Sequence, residues 1–167
     1  DAPDAPDSMA ILARRPRTVI LRTFSKAYGL AGIRCGYGFT SPDISGHIDR
    51  VRAPFNVNSL AQVAAIAALE DDEFLARAVE INRTGKLWLS EKLRARGLGV
   101  TPSQTNFLLV DFHTEAQPIC QRLMTRGVIT RPMGGYGLTT CLRISVGLPE
   151  HNALLMDALD DVLGEVS

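Results

Sequence analysis

The sequence predicts an α/β protein in two parts: a buried strand ending in a glycine-rich loop, followed by a small α/β unit. Three observations predict it. Residues 18–22 (TVILR) form a β-branched apolar run that ends in a loop of glycines and hydroxyls. Residues 71–96 repeat apolar positions at helical spacing (Phe74, Leu75, Val79, Ile81, Leu87, Leu89, Leu93), long enough to connect two domains. From Gly97 onward, short strand-like and helix-like segments alternate, as in a small α/β sandwich. The boundary falls near Glu80, giving parts at 1–80 and 81–167.

Residues 1–8 (DAPDAPDS) are acidic and broken by proline, which predicts a loop or frayed end. The run at 18–22 is apolar on both faces and predicts a strand buried within a parallel sheet, with the following loop at its carboxyl end, where ligands gather in open α/β sheets. A second strand is expected at 33–39 (IRCGYGF), its glycines permitting close backbone approach. Ser41-Pro42-Asp43 starts a helix over 44–51, and the run 54–59 (PFNVNS) breaks it. An alanine-rich buried helix is predicted over 60–69, with Ser59 as its N-cap. Beyond the long helix, strands are expected at Val100, 107–112, 128–130 and 142–146, and helices at 115–126 and 150–163.

Composition narrows the function classes. The apolar fraction of 46% over 167 residues is ordinary for a globular chain, and 18 basic residues balance 18 acidic ones. That balance gives no reason to expect a nucleic-acid or membrane-surface partner and points to a small-molecule ligand. No apolar run approaches the roughly 20 residues of a membrane span. Cys35, Cys120 and Cys141 lack paired spacing and read as reduced thiols of a cytoplasmic protein. His47, His113 and His151 show no ligand-like spacing, so no metal is assigned. The chain begins at Asp1 without an initiator methionine, which suggests a fragment, a processed product or a partial chain.

The chemistry concentrates at 23–34. Lys26 follows the first strand, Ser25 offers a hydroxyl and a backbone N–H, and Arg34 offers a planar, permanently charged fork suited to phosphate. Condensation with a cofactor aldehyde needs a lysine able to supply a neutral amine, and a phosphate needs a fixed cationic anchor. Lys26 and Arg34 are the candidates for those roles; a glycine-rich turn with chance basic residues is the plain alternative.

The stretch RTFSKAYGLAGIRCGY resembles the lysine motif of fold-type I pyridoxal-phosphate aminotransferases, specifically their histidinol-phosphate aminotransferase branch. Further matches follow in order: RAPFNVN at 52–58 with Ala61-Gln62, Thr105-Asn106-Phe107, Gly127-Val128 with Arg131-Pro132, and LRISVG at 142–147. The resemblance implies the lysine-bearing part of a large domain over 1–80 and a small C-terminal domain over 81–167. It implies that Lys26 bonds to pyridoxal 5'-phosphate and moves the substrate proton, while Ser25 and Arg34 hold the cofactor phosphate. Arg143 would meet the substrate anion, the phosphate of histidinol phosphate in one half-reaction and the carboxylate of glutamate or 2-oxoglutarate in the other. Arg131 would assist with the phosphate, and Asn106 would shape the pocket.

The residues alone leave Arg143 open as a strand-end charge, Arg131 as loop surface and Asn106 as a turn residue. Tyr28 and Tyr136 are either pocket lining or core aromatics. The resemblance further implies a homodimer in histidine biosynthesis. The aspartate and stacking aromatic that complete the cofactor site in the family lie upstream of its lysine motif, so this portion alone is expected to be inactive. Two alternatives stand beside this reading: a related aromatic or broad-specificity aminotransferase or a phosphothreonine decarboxylase, and a non-catalytic fragment that folds as an interaction module.

Overall fold

Asp7 opens the first element of the computed structural model, which describes residues 4–165. Its carboxylate accepts hydrogen bonds from the Met9 and Ala10 amides at 2.9 and 3.0 Å and caps helix α1, Ser8–Arg14. The expected loop at 1–8 therefore ends in a cap; residues 1–3 lie outside the described residues. The chain divides into two compact units between Val79 and Glu80, inside a long helix.

In the first unit, strand β1 (Ile20–Thr23) pairs with β2 (Gly36–Phe39), in register from Ile20 opposite Phe39 to Thr23 opposite Gly36. The pairing is antiparallel, which corrects the expected parallel strand. The connection holds only a single-turn 3₁₀ helix, Ala31–Ile33, and a parallel return needs a longer crossover. An apolar run dictates extended backbone but not the direction of its partner. Nor is β1 buried on both faces, since Leu21 is 73% exposed. The second strand is also shorter than its expected span of 33–39. Arg34 adopts a left-handed conformation (φ 57°) that keeps 33–35 out of the ladder.

Helix α2 (Pro42–Val51) starts where proline and serine direct it, with the Ser41 hydroxyl accepting from the Ile44 amide. Phe55 turns the chain at φ 54°, and α3 follows at Ser59–Glu70. Its cap is Asn58, whose side-chain oxygen accepts from Ala61 N at 2.8 Å; Ser59, the expected cap, is already the first helical residue. Only Ala61 and Ala65 of this helix are buried, whereas Leu60, Val63 and Ile66 are 78%, 68% and 60% exposed. The helix expected to be buried thus shows an open apolar face.

Helix α4, Asp72–Arg94, carries the chain into the second unit. There β3 (Gly99–Val100), β4 (Phe107–Asp111), β6 (Leu138–Ser145) and β5 (Arg131–Met133) form an antiparallel sheet in the order β3-β4-β6-β5. A strand was expected at 128–130; its ladder instead begins at Arg131 and shifts register between Pro132 and Met133. The β-branched run Val128-Ile129-Thr130 suits extended backbone, but pairing with β6 is what makes a strand. Along the sheet Leu108, Val110, Leu142 and Ile144 are buried, and Phe107, Leu109 and Arg143 occupy the other face, half-buried, with Cys141 the one position of that face that is also buried in β6.

Helices α5 (Ala116–Thr125) and α6 (Pro149–Gly164) contribute to the same core, Ile119 and Leu123 from one and Leu155, Leu159 and Val162 from the other, joined by Leu89 and Leu93 of α4. Asn152 is buried and clamps the turn between β6 and α6, its Oδ1 accepting from Gly147 N at 2.9 Å and its Nδ2 donating to Gly147 O at 3.0 Å. At the surface, hydrogen bonds from the Arg96 guanidinium hold the Asp160 carboxyl below the usual carboxylate range.

Candidate functional site

The candidate residues divide between the two units. In the first, Phe24 anchors the loop after β1. It is 3% exposed, packs on Tyr28 and Tyr37 at ring-centroid separations of 5.1 and 5.4 Å, and its amide donates to Cys35 O. Tyr28 therefore belongs to this aromatic cluster. With Phe24 fixed, the chain turns through 25–29, where the Gly29 amide donates to Lys26 O at 2.8 Å and Gly29 takes φ 70°.

The turn sets Ser25 and Arg34 on the lining of one depression of about 650 Å³, together with Arg22, Thr23 and Cys35. Thr23 is the residue that sequence reasoning missed. Its hydroxyl donates to Ser25 Oγ at 2.9 Å and accepts from the Ser25 amide at 3.1 Å, so two hydroxyls and a backbone N–H converge. The T-x-S spacing ahead of the lysine was the available signal. Arg34 spends one N–H on Ala31 O at 2.8 Å, and among the described residues no carboxylate pairs with it. Lys26 is exposed on the turn and does not line the depression.

The close approach of β1 and β2 shapes this depression. A Cβ at Gly36 would lie 2.7 Å from Arg22 O, a backbone atom that cannot swing aside. Gly36→Ala is expected to destabilise the ribbon by about 1–3 kcal/mol, read as a lower urea midpoint. Gly32→Ala meets nothing within 4 Å and serves as the control.

In the second unit, Arg143 on β6 faces Leu109 on one side and Arg131 on the other, directly across the ladder. Arg143 lies over the Phe107 ring at 5.1 Å, and Arg131 lies 5.9 Å from the Tyr136 ring centroid. Among the described residues neither guanidinium is paired with a carboxylate. Two like charges directly opposite on a sheet repel, so the pair favours an anion that bridges them. Asn106 sits just before β4; its carbonyl accepts from Val146 N at 2.9 Å, and among the described residues its exposed side chain makes no hydrogen bond. The loop ahead of it is tied down by Asn82, whose Nδ2 donates to Thr105 O at 3.3 Å.

Each unit therefore offers one anion-receptive cluster: the Ser25 hydroxyl, held by Thr23, and Arg34 in the first, and an opposed arginine pair in the second. Among the described residues no cluster of three or more His, Cys, Asp or Glu is placed to hold a metal, and no helix is long and apolar enough to cross a membrane.

Residues 1–159 match the family described as aminotransferase class I and II. The chain belongs to that family. Among its relatives, histidinol-phosphate aminotransferase 2 of Pasteurella multocida is 50% identical over 158 residues, 95% of this chain and 43% of that protein. The chain thus spans less than half the length of the curated relatives it matches. Two solved structures of similar fold are histidinol-phosphate aminotransferase from Sinorhizobium meliloti in complex with pyridoxal-5'-phosphate, and L-threonine-O-3-phosphate decarboxylase from Porphyromonas gingivalis. The first has TM-score 0.84 and 35% identity, covering 91% of this chain and 42% of that one. The second has TM-score 0.78 and 26% identity, covering 93% and 49%. The mixed α/β chain therefore has the fold-type I architecture of this family.

Proposed function

We propose that the chain carries the lysine edge of the cofactor-binding large domain (1–80) and the small domain (81–167) of a pyridoxal-phosphate-dependent aminotransferase that exchanges an amino group between histidinol phosphate and 2-oxoglutarate. The observation that carries the substrate reading is the opposed, carboxylate-free pair Arg131 and Arg143. A phosphate dianion balances two guanidiniums, and a carboxylate can replace it on Arg143 in the second half-reaction. The names of the curated relatives support the same substrate.

The residues of the first unit fit the cofactor. Ser25 and Arg34 present donors to its phosphate around one depression, with Thr23 fixing the Ser25 side chain, and Lys26 on the adjoining turn is the amine that bonds to its aldehyde. When bound, pyridoxal 5'-phosphate supplies the electron sink for amino-group transfer. Lys26 moves the proton at the substrate carbon. Asn106 lines the substrate side. A homodimer in the cytoplasm, serving histidine biosynthesis, completes the reading: the open face of α3 at Leu60, Val63 and Ile66 suits a subunit contact, and the three free thiols suit a reducing compartment.

A competition assay on the protein that carries this chain tests the reading, with histidinol phosphate, phenylalanine and phosphothreonine as rival substrates. Histidinol phosphate is expected to lead phenylalanine in kcat/KM by about 10²-fold or more, because arginines left without their anion penalise the wrong substrate. Preference for phenylalanine, or release of carbon dioxide from phosphothreonine, would replace it.

A further inference from the structure

Arg131 is held by more than the strand it stands on. Tyr136, in the 3₁₀ turn Gly134–Tyr136 between β5 and β6, lies with its ring centroid 5.9 Å from the Arg131 guanidinium carbon, and its phenol oxygen accepts from Arg131 Nη2 at 3.5 Å. The ring is 66% exposed, so it is not there to fill a core. Accepting from the guanidinium uses a lone pair and leaves the phenolic proton uncommitted; among the described residues Tyr136 O–H donates to nothing. An anion oxygen bound by Arg131 Nη2 would lie within reach of that proton.

We infer that Tyr136 is a specificity-determining residue for the phosphate end of the substrate: it orients Arg131 against the repulsion of Arg143 and donates its own O–H to the anion. Phe107 does only the first of these jobs for Arg143, having a ring face but no donor. The two arginines are thereby made unequal. Arg143, on an apolar platform, accepts any anion, carboxylate or phosphate. Arg131, with a phenol beside it, forms with Tyr136 a donor set that a dianion with three terminal oxygens can fill and a carboxylate engaged on Arg143 cannot. The inference rests on the proposed function and assigns the discrimination between its two substrates to one hydroxyl.

Tyr136→Phe, made in the protein that carries this chain, tests it beside Arg131→Lys. The exposed ring is kept, so folding is expected to be unchanged by circular dichroism. Loss of one hydrogen bond to a charged group should raise KM for histidinol phosphate about tenfold, with KM for glutamate within about twofold. Inorganic phosphate gives a readout independent of turnover: the ¹⁵N shift of Arg131 Nε on titration should saturate at a higher concentration in the variant. If Arg131→Lys raises KM for histidinol phosphate and Tyr136→Phe does not, the role of Tyr136 is overturned and the substrate reading stands. Equal rises in both KM values for Tyr136→Phe would mark a merely structural residue and also overturn it. If neither Arg131→Lys nor Arg143→Lys affects either substrate, the substrate reading falls and takes this inference with it.

Discussion

Lys26→Ala is expected to abolish covalent capture of pyridoxal 5'-phosphate and to lower amino-group transfer by about 10³-fold or more, the combined loss of a nucleophile and a positioned base. The measurement is borohydride reduction of the protein that carries this chain in the presence of the cofactor, followed by peptide mapping. Label is expected on the peptide containing Lys26 and on none from the variant. The turn makes this prediction specific. Gly29 N donates to Lys26 O and the Phe24 ring is buried below, so the backbone at Lys26 is fixed while its side chain is exposed. Replacement by alanine therefore removes chemistry without disturbing packing, and the variant should keep its urea midpoint. Lys26→Arg is expected to fail as fully, because a guanidinium stays protonated and supplies no neutral nucleophile. Retention of label in Lys26→Ala would show that another amine carries the cofactor.

The second large effect lies in the core of the small unit. Leu159 of α6 is fully buried and belongs with Leu89, Leu108, Leu123 and Val162 to the hydrophobic core cluster of that unit. Leu159→Ala is expected to cost about 2–5 kcal/mol, from lost transfer free energy and a cavity that the sheet above cannot collapse into. The check is urea unfolding followed by far-ultraviolet circular dichroism, where the midpoint should fall with the slope unchanged. Leu154, on the same helix but 52% exposed, provides the contrast. Leu154→Ala should stay within about 0.5 kcal/mol of the parent.

Legibility in the sequence followed the range of the interaction that decides each element. Helix starts set by adjacent residues were readable, as at Ser41-Pro42, and so was the long periodic helix α4. The strand of the TNF segment was readable as well, since alternation declares its own faces, whereas the residues alone left the arginine in LRISVG open as a strand-end charge. What depends on a distant partner was not. The run at 18–22 could not disclose that β1 returns antiparallel, nor could the alanine-rich helix disclose that Leu60 and Val63 face outward. Asn58 and Ser59 are both competent caps at adjacent positions, and only backbone geometry chooses between them. In the site, Ser25 and Arg34 were legible as a local cluster. The opposition of Arg131 and Arg143 was not, because it depends on ladder register across residues twelve apart. Tyr136 was ambiguous for the same reason: an aromatic in a turn declares its partner only once the turn is folded.

Pro132 has a consequence for solubility. The strand that carries Arg131 lies at the margin of its sheet, paired on one side only. Such a margin ordinarily offers amides and carbonyls to any passing extended chain, and stacking there is how soluble proteins begin to aggregate. Pro132 contributes no amide, the register slips immediately after it, and a charged guanidinium stands immediately before it. The margin is thus a poor template for a foreign strand. The same features that spoil it for self-association leave the arginine face unobstructed for a small anion.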